Sequence, residues 1–312
     1  MSVVFDGMHG LGDNVHQRAL VRRVLASGAD VWLHTPWPCL YHDLVGEMFH
    51  VLPPTRTTLR TQHKNLLRER DRYTSERPHP LIGPTKIWYD TPCIRASDSI
   101  LGGMLRYTLR QPLDGADFSL PVPDAWRAKA LARIARPDRP IMVLRPLVDR
   151  KEWGGCATRN PDPRAFAALY NTIRSRFFVV SIADLVDRVE WICGDHLRAD
   201  VTLHAGELDT ETMIGMFASA AITFCSPGFA LILSQAVGTP VICVYGGRES
   251  SRYYAYGARF APTLGIDPVR PCNCFLPKHQ CDKYIDLDDA HARIARFLDT
   301  DIGQHEIRRR AG

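Results

Sequence analysis

Between Ala221 and Gly247 the chain reads as strand, turn, helix and strand with almost nothing left over. Ala221-Ile222-Thr223-Phe224-Cys225 is a short apolar run, and Ser226-Pro227-Gly228 breaks it. Phe229–Val237 is a largely apolar helix that Gly238-Thr239-Pro240 ends, and Val241–Tyr245 is the next strand, closing on Gly246-Gly247. A strand–helix–strand unit of this kind packs into a parallel sheet, which confines the fold to the α/β class.

The first 25 residues repeat the pattern. Val3-Val4-Phe5 reads as a buried strand, Met8-His9-Gly10-Leu11-Gly12-Asp13 as a glycine-bearing turn, and Asn14–Leu25 as a helix with Val15, Ala19, Val21, Val24 and Leu25 on its apolar positions. A tight turn opening a helix is an anion-ready site, because unpaired backbone N–H groups point out of the helix N-terminus. This one also carries a carboxylate, Asp13. Asp13 is either a helix cap or a base held beside a substrate. Two such units, one near each end, predict two similar Rossmann-like domains facing each other across a cleft.

GLGDNVHQRALVRRV at 10–24, IMVLRPLVDRKEWGG at 141–155 and ITFCSPGFALILSQAVGTPVICVYGG at 222–247 together resemble the glycosyltransferase family 9 proteins, heptosyltransferase-like enzymes of the GT-B fold. CNCFLPKHQC at 272–281 is similar to a late cysteine cluster in many members of that family. The resemblance spans nearly the whole chain in order. It implies two domains, an acceptor-side domain over 1–122 and a nucleotide-sugar-binding domain over 123–300, followed by a tail over 301–312. It also implies inverting, metal-independent transfer, with the family's catalytic aspartate at Asp13. One departure matters: the family usually has Asp-Ser/Thr-Gly-x-x-His in the late turn, and this chain has Cys225-Ser226-Pro227-Gly228-Phe229-Ala230. The acidic residue and the histidine are both missing, so the fold and the reaction type carry over, but heptose as the sugar does not.

Composition agrees with a globular enzyme. The 312 residues suit two domains, and the 45% hydrophobic and 23% charged content are close to globular averages. No apolar run reaches the roughly 18 residues a transmembrane helix needs, and Asp6 and His9 interrupt any signal-peptide pattern. A cytoplasmic location is expected, in a bacterium or in the host of a phage. Cys93, Cys193, Cys225 and Cys243 lie in or beside apolar segments and read as small core residues. Cys272, Cys274, His279 and Cys281 are the one candidate metal set. They lack the paired Cys-x-x-Cys knuckles of common structural zinc sites, so a packed loop is the favoured reading and no metal cofactor is expected. Asp286 and Asp288 read as the cap and first turn of a final helix over 287–298 rather than as metal ligands.

Glycosyl transfer needs a base for the acceptor hydroxyl, positive groups for the departing nucleotide diphosphate and exclusion of water. Asp13, beside Gly12, is the candidate base. Arg145 and Lys151, with Arg150 between them, are candidate phosphate groups, Lys151 being the best match to the basic family position. Ser226 and the N–H groups of Gly228 and Phe229 are candidate pyrophosphate contacts. Gly246, Gly247 and Arg248 are candidates to line the nucleotide, and Trp153 reads as core or as a stacking group.

The net charge is +5, and Arg56, Arg60, Lys64, Arg68 and Arg72 recur every four residues. On a helix that spacing makes one slowly drifting basic stripe, while Leu59, Leu66 and Leu67 pack the helix elsewhere. It is either a solvated face or a patch for a polyanionic acceptor, with Trp37 beside it. Lys86–Tyr89 reads as a strand, and Asp124–Ala135 as a helix capped by Asp124. The leading function is transfer from a nucleotide sugar to a surface glycan such as lipopolysaccharide core. A phage-type transferase acting on modified bases in DNA is the alternative, with Trp32, Trp37 or Tyr41 stacking an extruded base. An inactive sugar-nucleotide or glycan-binding module is the third, against which the retained Asp13 argues.

Overall fold

The computed structural model describes residues 1–76, 78, 82–134, 137–151, 159–276 and 278–300. Trp153 and the tail 301–312 lie outside the described residues. Contacts divide the chain into two compact units, Met1–Pro121 and Val122–Gly312.

The first unit runs β1 (Ser2–Asp6), α1 (Leu11–Ala26), β2 (Asp30–His34), β3 (Phe49–Leu52), α2 (Arg60–Arg68), β4 (Thr85–Lys86), α3 (Thr91–Ser97) and α4 (Ile100–Leu109). Its strands form a parallel sheet in the order β3-β2-β1-β4. The chain moves one way from β1 to β3 and then returns to the other side of β1, so strand order reverses between β1 and β4.

Helix α1 starts three residues before Asn14, because Gly10 rather than the turn beyond it is the N-cap. Its first turns are buried almost all round: Asn14, His16, Gln17 and Arg18 are buried beside Val15, Ala19, Leu20 and Val21. Arg18 explains how this is possible. Its guanidinium grips Asp43 through two 2.8 Å bonds and also donates to the carbonyls of Ser119 and Leu40. Burial raises the Asp43 pKa, but the Arg18 fork overcomes it and holds the carboxyl below the usual range. Removing one partner of such a buried pair costs about 3–5 kcal/mol.

Helix α2 is shorter than the basic stripe. Arg56 precedes it and Arg72 falls in a following 3-10 turn. Leu67 is 62% exposed, contrary to the expected packing, and the buried residues are Gln62 and Asn65. Strand β4 covers only the start of the expected Lys86–Tyr89 strand.

The second unit runs α5 (Asp124–Leu131), β5 (Ile141–Leu144), β6 (Val148–Arg150), α6 (Pro163–Ile173), β7 (Phe178–Ile182), β8 (Glu190–Ile192), β9 (Val201–Leu203), α7 (Thr210–Ser219), β10 (Ile222–Cys225), α8 (Phe229–Ala236), β11 (Val241–Val244), β12 (Thr263–Ile266) and α9 (Leu287–Asp299). Asp124 is the first residue of α5 rather than its cap, which is Pro123, and the helix stops at Leu131. Six parallel strands are ordered β12-β11-β10-β5-β7-β9, and β6 and β8 form a separate antiparallel pair. This is the doubly wound order, with its reversal between β5 and β10.

The core explains why the strands are legible. Met142, Leu144, Phe224, Ile242 and Val244 pack with Phe166 and Tyr170 of α6 and with Ala290, Ile294 and Leu298 of α9. The Phe166 and Phe224 rings sit 4.9 Å apart. Each large apolar side chain so buried contributes about 1.5–3 kcal/mol. Asp286 caps α9, accepting from the amides of Asp288 and Asp289, as the sequence reading has it.

Candidate functional site

Open α/β sheets bind ligands beyond the carboxyl ends of their strands where strand order reverses. Each unit has one such point.

In the first unit the reversal lies between β1 and β4. The turn after β1 leads to Gly10, an extended N-cap with φ −66° and ψ 139° and no side-chain cap. Gly12 and Asp13 are therefore in the first turn of α1, and Asp13 is not the cap. Its Oδ1 accepts a 2.9 Å bond from the Tyr89 hydroxyl, which arrives just after β4. The half-buried carboxylate is thus fixed from the two strands that flank the reversal.

The turn is braced by a polar network that sequence periodicity does not reveal. Asn14 Nδ2 donates to the carbonyls of Met8 (2.6 Å) and Gly10 (2.9 Å). Gln17 Oε1 accepts from the Met8 amide (2.9 Å), and Gln17 Nε2 donates to the Tyr41 hydroxyl (2.8 Å). The His9 carbonyl accepts from both Trp37 Nε1 (2.8 Å) and Gln62 Nε2 (2.9 Å). Burial lowers the His9 pKa, and the charges of Arg56 and Lys86 lower it further. Those two cations therefore sit in the electrostatic reach of this turn. Tyr89, Lys86, Asn14 and Gln17 were missed in the sequence. Only Lys86 and Tyr89, the two ends of the expected Lys86–Tyr89 strand, left any signal.

Trp37, expected beside the basic stripe, is 6% exposed, so little of its ring is open to solvent. Trp32 and Tyr41 are also buried, Trp32 stacked on His50 at 3.9 Å. All three spend their apolar surface on the first unit's own core. Arg60, Lys64 and Arg68 share helix α2, which is pinned by Gln62 and by an Asn65 Nδ2 bond to the Pro36 carbonyl.

In the second unit the reversal brings together Arg145, which follows β5, and the Ser226–Phe229 turn, which follows β10. The Arg145 guanidinium lies 5.0 Å from the Phe229 ring centroid, and its Nη1 donates to the Ile182 carbonyl at 3.0 Å. Burial, then the charge of Arg150, pulls Arg145 down to about 10, which still leaves it a cation at neutral pH. Gly228 caps α8 with φ 153° and ψ −158°, a conformation open in practice only to glycine. Nothing lies within 4 Å of where a Cβ would stand there, so the approach to the α8 N-terminus is clear on that side. Ser226 is 9% exposed beside it. His204, just past β9, bonds the Ser181 hydroxyl at 2.8 Å, and burial followed by Arg145 lowers its pKa. Both residues were missed in the sequence, because a histidine after a three-residue strand has no pattern of its own.

The other phosphate candidates are placed differently. Arg150 pairs with Glu190 at 2.8 Å across the β6–β8 ladder. Lys151 is exposed, and its amide extends that ladder to the Val189 carbonyl. Gly246 and Gly247 face protein rather than open space: a Cβ on Gly246 would stand 2.3 Å from the Asn160 carbonyl oxygen, and one on Gly247 2.6 Å from that of Asp282. Arg248 donates to the carbonyls of Phe275 (3.0 Å) and Leu276 (3.2 Å). Cys272, Cys274, His279 and Cys281 converge, with their ligand atoms all within 4.8 Å of one another.

No protein-family profile and no curated protein sequence matches the chain. Solved structures do. The ADP-heptose lps heptosyltransferase II of E. coli has a TM-score of 0.59 at 15% identity, over 96% of this chain and 98% of its own. A glycosyl transferase family 9 protein from Veillonella parvula DSM 2008 has a TM-score of 0.52 at 12% identity, over 84% and 85%. The iron-containing dodecameric glycosyltransferase TibC of enterotoxigenic E. coli H10407 has a TM-score of 0.51 at 11% identity, over 99% and 76%. Among the described residues no helix is long and apolar enough to cross a membrane. Two parallel α/β units in sequence, each with its own strand-order reversal, give this chain the fold of these glycosyltransferases.

Proposed function

We propose that the chain is an inverting glycosyltransferase that moves a sugar from a nucleotide-diphosphate donor to a hydroxyl of an anionic, lipopolysaccharide-like glycan. The observation that carries the reading is the Asp13 carboxylate held by Tyr89 at the reversal point of the first sheet. Asp13 takes the proton of the acceptor hydroxyl as that oxygen attacks the anomeric carbon. The bond from the anomeric carbon to the diphosphate breaks on the opposite face, and the configuration inverts. Arg145, with the N–H groups of Gly228 and Phe229 at the α8 N-terminus, takes up the charge that develops on the leaving diphosphate. Lys151 adds an exposed counter-charge, so in this proposal the leaving group is served by side chains rather than by a resident metal. Arg56, Arg60, Lys64 and Arg68 draw in the anionic acceptor on the first unit.

Heptose is not part of the proposal, because the Cys225–Ala230 turn lacks the acidic residue and the histidine of the heptosyltransferase pattern. The DNA reading loses its stacking platform with the burial of Trp32, Trp37 and Tyr41. The test is thermal-shift screening against a panel of nucleotide sugars, followed by mass analysis of product on glycan acceptors. A donor at about 100 times its dissociation constant stabilises by roughly 2.7 kcal/mol. A panel with no stabilising member sinks the reading.

A further inference from the structure

We propose that Cys272, Cys274, His279 and Cys281 form a closed four-ligand site for a thiolate-binding divalent ion, zinc or ferrous iron, and that the ion fixes the loop following β11. The effect on donor binding rests on the function proposed above; the metal site does not.

The spacing of the ligand atoms carries the proposal. Cys274 Sγ and Cys281 Sγ are 3.6 Å apart, Cys272 Sγ and His279 Nδ1 3.6 Å, and Cys281 Sγ and His279 Nδ1 3.5 Å. A tetrahedral ion with metal–sulfur bonds of about 2.3 Å and metal–nitrogen bonds of about 2.05 Å sets sulfur–sulfur edges near 3.8 Å and sulfur–nitrogen edges near 3.6 Å. Three thiolates and an imidazole are the soft donor set that selects such an ion, and four protein ligands make the site structural rather than catalytic. The Leu276 amide points at Cys274 Sγ (3.4 Å), as N–H groups do around thiolate ligands. On binding, the three thiols release their protons to solvent and the histidine ligates as the neutral ring.

The surroundings say what the ion is for. Between β12 and α9 the described residues form no helix or strand, so this long segment needs another organiser. The residues alternating with the cysteines reach the other loop: the Asn273 amide donates to the Gly247 carbonyl (2.9 Å) and the Phe275 amide to the Arg248 carbonyl (3.1 Å). The Arg248 guanidinium returns two bonds to the carbonyls of Phe275 and Leu276. Lys283 Nζ then ties the segment to the Asn160 carbonyl (2.6 Å), the group against which Gly246 packs. The ion therefore clamps one side of the Gly246–Arg248 turn.

The test uses the full chain, purified under reducing conditions without a chelator or a nickel column. Elemental analysis is expected to find about one zinc or iron per chain. The metal-free protein should take up Zn(II) with 1:1 stoichiometry in competition with a chromophoric chelator, and Co(II) should give the intense visible bands of a tetrahedral thiolate site. Cys272→Ser, at the exposed edge, and Cys274→Ser should each lower the metal affinity at least about tenfold, whereas Cys93→Ser should leave it unchanged. A chelator should lower the melting temperature of the wild type, and Zn(II) should restore it. Metal-free protein that refuses both ions, full stoichiometry in the Cys274→Ser/Cys281→Ser double variant, or a Cys274–Cys281 disulfide in peptide maps overturns the site. Unchanged donor affinity in the metal-free protein overturns the clamp. If no nucleotide sugar binds even the metal-loaded protein, the glycosyltransferase reading fails while the metal stoichiometry stands.

Discussion

The two reversal points do the same structural job with opposite materials. In the first unit the turn is braced by buried polar side chains, Asn14, Gln17 and Tyr41, and presents an anion, Asp13. In the second the turn leads into a helix buried from Ala230 to Ala236 and is met by a cation, Arg145. An apolar bed under a glycine cap leaves the amides of a helix N-terminus as the available polar groups, which suits a diphosphate. A polar bed fixes the orientation of one carboxylate, which suits proton transfer. Under the proposed function, the first turn supplies the chemistry and the second the donor binding.

The largest expected effect tests that division directly. Asp13→Asn preserves size and removes the base. Turnover should fall about 10²–10⁴-fold with donor affinity little changed. The check is steady-state kinetics beside donor titration and chemical denaturation. Equal losses of activity and stability would make Asp13 a structural residue and erase the contrast.

Next comes Gly228→Val. A Cβ there has open space around it, so the substitution mainly strains the backbone, by about 1–3 kcal/mol, and fills the approach to the α8 N-terminus. Donor affinity should fall about tenfold to a hundredfold, read by calorimetry, while the fold survives. Gly246→Val is the counterpart, since its Cβ would strike the Asn160 carbonyl. It should lose stability first. If Gly228→Val binds donor normally, the diphosphate is held elsewhere.

The same contrast explains what the sequence could tell. The second unit was readable because its strands and α8 are nearly continuous apolar runs, and the turns between them hold Gly and Pro. The doubly wound sheet follows from those runs. The bed of the first turn was not readable, since hydrophobic periodicity has no symbol for a buried Asn14, Gln17 or Arg18 whose cost is met by partners far along the chain, such as Asp43 and Ser119. The burial of Trp37 was unreadable for the converse reason: an aromatic in a Pro-flanked turn looks exposed, yet its ring is buried and its N–H donates to the His9 carbonyl. Asp13 was legible from its place at a helix start, but its partner Tyr89 lies 76 residues away in sequence.

A pH dependence probes the polar bed of the first unit. His16 is buried on α1, edge-on to Phe118 at 5.1 Å, and burial lowers its pKa from 6.5 to about 3. Below the unfolded value the unfolded chain binds a proton that the folded chain refuses. Stability is therefore complete above that value and is lost as pH falls through the window from 6.5 to about 3, by up to about 1.4 kcal/mol per pH unit. Denaturation of the wild type and of His16→Leu at neutral and acidic pH measures the difference. The variant should flatten the acid loss. Parallel acid loss in both proteins would place the sensitivity outside the first unit's polar bed.

The smallest expected effect concerns the basic helix that borders the first turn. Gln62 and Asn65 anchor α2, so its attachment does not depend on Arg60, Lys64 or Arg68. Replacing those three by Gln keeps helix propensity and the two anchors while removing three positive charges. Donor affinity should stay as it is, since the donor contacts are assigned to the second unit. Acceptor affinity should fall, and its dependence on salt should flatten, by up to about 0.9 in logarithmic slope for each lost phosphate contact if the acceptor is duplex DNA and about 0.7 for a single strand. Titrations at several salt concentrations read the slope, and competition identifies the acceptor: an anionic glycan is not displaced by added DNA. Unchanged acceptor binding and an unchanged salt response would make α2 a solvated face. The first turn would then keep its base but lose its acceptor surface, and the division of labour between the units would rest on Asp13 and Gly228 alone.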